Sequence, residues 1–149
     1  MGKKLIIKGA DFSKNGIISE TPSENLVLTQ ENILSAYNFY ILSSNVADGN
    51  SNEFKGGFID ISKYTGYKTL SIQKAPSAQL ARFAFVTKLP NTSGVAISYA
   101  TGYNTYVTIT DDDIHEYSIP NDAKYLYVMH YHSKAGGNIF PNHLALLVE

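Results

Sequence analysis

The run from Ile119 to Ser133, IPNDAKYLYVMHYHS, constrains the fold more than any other part of this chain. Pro120-Asn121-Asp122 is turn chemistry, and it launches an extended segment of alternating aromatic, branched and imidazole side chains. Successive side chains on a strand point to opposite faces. Tyr125, Tyr127, Met129 and Tyr131 therefore share one side, and Leu126, Val128, His130 and His132 share the other. Both sides are too apolar for a strand with one face in water. Such a strand belongs in the middle of a sandwich, covered on both faces, or beneath a partner surface.

The same period-two patterning recurs at Lys4–Lys8, Leu26–Thr29, Phe39–Leu42, Gly57–Ile61, Lys68–Gln73 and Ala81–Thr87. It continues at Val95–Tyr99, Tyr106–Thr110, Glu116–Ile119, Lys124–His132 and Leu144–Val148. Turn residues separate these runs at short intervals, as at Thr65-Gly66, Leu89-Pro90-Asn91 and Thr101-Gly102. The pattern predicts an all-β fold, an antiparallel β-sandwich with little helix. A length of 149 residues and the lack of any compositional break predict a single domain over residues 1–149. Two segments compete for helix: Thr29 is placed to cap Asn32–Tyr37, and Ser77 to cap Ala78–Ala84. The second conflicts with Phe83, Phe85 and Thr87, which fall on one strand face. Ser43–Lys55 is the longest polar stretch and is expected to be an irregular, mobile loop.

Charge and motif content narrow the function classes. With 12 basic and 13 acidic residues, the chain lacks the positive footprint that grips a phosphate backbone, so no nucleic-acid partner is expected. There are no cysteines, which removes disulfides and thiolate metal sites. The apolar run Leu5-Ile6-Ile7 stops at Lys8, short of a signal-peptide core, and no stretch approaches a membrane span. The expectation is a protein made in the cytoplasm without a signal peptide or membrane insertion. No nucleophile elbow, zinc-protease helix motif or phosphate-binding glycine loop is present, and no enzymatic activity is expected. Asp111-Asp112-Asp113 is a run of neighbours that reads as a solvated turn rather than a catalytic carboxylate pair.

Some residues do carry recognition chemistry. Asp48, Asn50 and Asn52 place oxygen-bearing side chains at alternating positions, a candidate set for a structural calcium. The helix–loop–helix calcium pattern fails at Glu53 and Ile59, and a plain polar loop is the competing reading; no other cofactor is expected. His130 and His132 share a strand face in a geometry that suits a metal, but only if His115 or His143 completes it. The chain holds 11 Tyr, 7 Phe and no Trp, a tyrosine surplus that suggests surfaces presenting flat amphipathic rings. Tyr99, Tyr103 and Tyr106 surround the Thr101-Gly102 bend. Rings there can stack on sugar faces while Asn104 bonds sugar oxygens; the competing reading is that Tyr99 and Tyr106 cap the core edge and only Tyr103 is exposed. Tyr131 and His132, near the glycine-rich turn Ala135–Asn138, extend the candidate glycan-binding set.

Lys3–Ile17 (KKLIIKGADFSKNGI), Gly57–Ile72 (GFIDISKYTGYKTLSI), Ala81–Lys88 (ARFAFVTK) and Tyr117–Val128 (YSIPNDAKYLYV) together resemble a recurrent β-sandwich module of gut Bacteroidetes proteins and their phages. The resemblance implies a jelly-roll or galactose-binding-like domain of the kind found beside carbohydrate-active domains and in phage surface proteins. It further implies a non-catalytic structural or attachment module, a decoration or fibre-associated component on a virion surface. Its partners would be a larger protein assembly or further copies of itself, and cell-surface glycans. The alternative is a stand-alone carbohydrate-binding module of a bacterial glycan-utilisation system. A third reading, a small sugar-active hydrolase, needs two carboxylates roughly 5–10 Å apart in one cleft.

Overall fold

The computed structural model describes residues 22–43, 45–132 and 140–149. The strand expected at Lys4–Lys8 and the glycine-rich turn Ala135–Asn138 lie outside the described residues. Ten strands follow in order: β1 Leu26–Val27, β2 Phe39–Leu42, β3 Val46–Gly49, β4 Phe54–Asp60, β5 Thr69–Gln73, β6 Leu80–Val86, β7 Val107–Ile109, β8 His115–Ser118, β9 Tyr125–Tyr131 and β10 His143–Leu147. Every pairing between them is antiparallel. One four-stranded sheet runs β1-β10-β5-β8, a second runs β4-β9-β6-β7, and β2 with β3 forms a separate hairpin. The described residues thus form the expected antiparallel all-β sandwich, without an α-helix.

The two large sheets share one core. Leu70, Ile72, Leu144 and Leu146 from the first sheet meet Ile59, Phe83, Phe85, Leu126 and Val128 from the second, all of them buried. The alternate residues of the second sheet make a further layer on its far side. There Phe58, Ala84, Val86, Tyr127 and Met129 are buried together with Ile41 of the β2–β3 hairpin. The second sheet is therefore covered on both faces. Its central strand β9 sends Leu126 and Val128 inward and Tyr127 and Met129 outward, and all four are at most 1% exposed. That is the physical reason both faces of Tyr125–Tyr131 are apolar.

Three local expectations need correction. Ser43–Lys55 is not one irregular loop, because Val46–Gly49 forms β3 and pairs with β2 residue by residue from Leu42↔Val46 to Phe39↔Gly49. The segment from Thr29 makes only a single 3-10 turn at Gln30–Asn32. Thr29 N–H donates to Asn32 Oδ1 at 2.7 Å, and Leu34 N–H then pairs with the Phe58 carbonyl, which diverts the chain from continuing a helix. Val95–Tyr99 is not a continuous strand. Ile97 N–H bonds Asn45 O beside the hairpin, whereas Thr87 N–H bonds Ser98 O beside β6, so the segment changes partner midway. The rival helix at Ala78–Ala84 gives way to β6, whose Phe83 and Phe85 point into the shared core.

Candidate functional site

The second sheet's outer face carries the densest arrangement of half-buried rings with polar tips. Alternation on β9 puts Tyr131 on the same face as Tyr127 and Met129, and register places Phe54 of β4 directly opposite it. The Phe54 and Tyr131 rings lie 4.7 Å apart, and Tyr40 of β2 stacks on Phe54's other side at 5.1 Å and 19°. In this column the faces of Phe54 are taken by its neighbours, so a ligand ring can stack only at the ends, on Tyr40 or Tyr131. Burial, and then the nearby Asp48 carboxylate, push the Tyr40 phenol up, which keeps it a neutral hydrogen-bond donor and acceptor.

Arg82 of β6 belongs to the same face, alternating with Ala84 and Val86 and pairing with Met129 of β9 and Thr108 of β7. Its guanidinium carbon sits 4.1 Å from the centre of the Tyr106 ring, a close cation–π contact. Tyr99 joins Tyr106 on this outer layer, and its phenol is pushed up to about 12, first by burial and then by Tyr106. Tyr103 does not join them. Its ring packs edge-on to Phe85 at 5.4 Å at the margin of the inter-sheet core, and burial, then Tyr117, push its phenol up. The bend between them is fixed by Gly102 at φ +89° and by Asp122, which accepts from Thr101 N–H at 3.0 Å and from Thr101 Oγ1 at 2.9 Å. These bonds hold the Asp122 carboxyl below the usual carboxylate range. Asn104 is exposed beside the bend.

The remaining candidates are dispersed. His132 is buried, its backbone N–H bonded to Glu53 O, with its ring 6.3 Å from that of His130. His130 Nε2 accepts from Ala75 N–H at 3.1 Å, His143 Nε2 lies 2.8 Å from Ser71 Oγ, and His115 Nε2 lies 2.7 Å from Asp111 Oδ1. Asn50 uses both ends of its amide on the backbone of Gly56, at 2.9 and 3.0 Å, and so closes the chain between β3 and β4. Asp48 Oδ1 accepts from Gly49 N–H, and Asn52 is exposed. Among the described residues no group of three or more His, Cys, Asp or Glu is placed to hold a metal ion. Asp111, Asp112 and Asp113 are exposed, and Asp112 pairs with the buried Lys74 Nζ at 2.7 Å.

A cleft of ≈ 210 Å³ lies elsewhere, between Tyr64, Tyr67, Ile119 and Pro120. It is smaller than the roughly 300 Å³ at which small-molecule sites begin. Sequence reasoning picked out Tyr106 and Tyr131 but missed Tyr40, Phe54 and Arg82, which join them only through strand register. No protein-family model matches this chain, and no curated protein matches it in sequence.

Proposed function

We propose that this protein is a non-catalytic attachment module, a jelly-roll-like sandwich that decorates a larger assembly such as a phage particle and binds surface glycans through the half-buried rings at the margin of the layer that covers its second sheet. The observation that carries the reading is the half-buried ring column Tyr40–Phe54–Tyr131 beside the Arg82–Tyr106 pair. Rings with polar tips on a rigid sheet suit the alternating apolar faces and hydroxyls of sugars, and they lose little entropy when a ligand lands on them. The virion setting draws its support from the sequence resemblance alone. A glycan array with the parent and Tyr131→Ala tests the reading. Binding should fall at least tenfold in the variant, with its melting temperature within a few degrees of the parent, and light scattering should find an oligomer. A monomer that ignores every glycan would sink the proposal.

A further inference from the structure

The geometry points to Arg82 as an anion-binding centre that directs this face toward carboxylated sugars, an inference that rests on the glycan reading above. Two ion pairs are present among the described residues, Lys74–Asp112 and His115–Asp111, and Arg82 takes part in neither. Its Nε is buried with no hydrogen-bond partner among the described residues. A shielded donor on a cation is costly to leave unpaired and calls for an explanation. The guanidinium carbon lies over the Tyr106 ring at 4.1 Å, a contact that supplies no acceptor oxygen to the N–H groups. Nε itself is shielded, so a planar carboxylate would meet the terminal N–H groups of the guanidinium with two parallel bonds, which a compact ammonium could not form.

Tyr131 supplies the sugar-facing half. Arg82 pairs with Met129, and Tyr131 stands two residues further along β9 on the same face. Diagonal neighbours of this kind lie roughly 7–8 Å apart. A uronic acid residue can thus lie against the Tyr131 end of the ring column while its carboxylate reaches Arg82. An acidic peptide would satisfy Arg82 equally but would leave the ring column without a purpose.

Calorimetric titration of the full chain with polygalacturonate, dextran, dextran sulfate and polyglutamate tests this at low and high salt. Polygalacturonate should bind at least tenfold tighter than dextran, and added salt should weaken it. Arg82→Met should remove that preference. Arg82→Lys, which keeps the charge and the long side chain, should fold like the parent and still lose severalfold in affinity. Equal binding of dextran and polygalacturonate, unchanged in both variants, overturns the role of Arg82 and leaves the glycan reading standing. A preference for dextran sulfate overturns the carboxylate assignment, and equal binding of polyglutamate overturns the sugar. Binding of none of the four, with a glycan array also blank, overturns both the inference and the reading beneath it.

Discussion

Tyr127 shows how one residue serves two layers. Its ring is fully buried on the outer side of the second sheet, against Phe58 at 5.2 Å, and its hydroxyl accepts a 2.8 Å hydrogen bond from Ile41 N–H. Burial pushes its phenol well up, so it stays neutral under all ordinary conditions. Tyr127→Phe keeps the ring and strands the Ile41 N–H in a dry layer, a loss of about 1–3 kcal/mol. Urea denaturation should show a lower midpoint with an unchanged slope; an unaltered midpoint would mean that the hairpin does not depend on this bond. The facing of Tyr127 was legible from period two alone. Its partner lies 86 positions earlier in the chain, and no local pattern announces so distant a contact. The same limit explains the site: Tyr131 and Tyr106 are visible as rings in sequence, but Arg82 meets Tyr106 only because β6 and β7 pair side by side.

At the scale of elements, the β2–β3 hairpin is where sequence and structure part. Asp48-Gly49-Asn50 is turn chemistry, which hides the strand Val46–Gly49 that contains its first two residues. The turn lies further on, where Ser51 Oγ accepts from Glu53 and Phe54 N–H and Asn50 bridges to Gly56. The ten-strand frame was otherwise largely readable, because a sheet buried on both faces advertises itself as unbroken apolar alternation. Gly56 sets how closely the hairpin lies on the second sheet. A Cβ there would stand 2.5 Å from the Phe39 carbonyl oxygen and 3.0 Å from a Tyr127 ring carbon. Backbone cannot swing aside as a side chain can, so Gly56→Ala has to lift the hairpin, at a cost of about 1–3 kcal/mol. Hydrogen exchange at the Ile41 amide should then accelerate while that of Leu70 in the first sheet holds; equal protection at both would show that the hairpin tolerates the methyl group.

For the whole molecule, a tyrosine-rich interior makes alkali the revealing stress. Tyr40, Tyr99, Tyr103, Tyr117 and Tyr127 all have phenols raised by burial before any other cause, Tyr99 to about 12. They are spread over both packing layers, so the effect belongs to the sandwich rather than to one corner. An unfolded tyrosine ionises near pH 10. Below that value the neutral phenol is common to both states and the stability is fully present. As pH rises from about 10 toward the higher folded values, only the unfolded chain gains by losing these protons, and stability falls. Absorbance at 295 nm followed with circular dichroism should therefore show these five phenols ionising later than an unfolded tyrosine. Tyr127, the fully buried ring, should ionise only in a step that coincides with loss of the β signal. Ionisation of all 11 tyrosines with the β signal intact would contradict the dry outer layer, because a phenol buried as Tyr127 is cannot ionise while that layer holds.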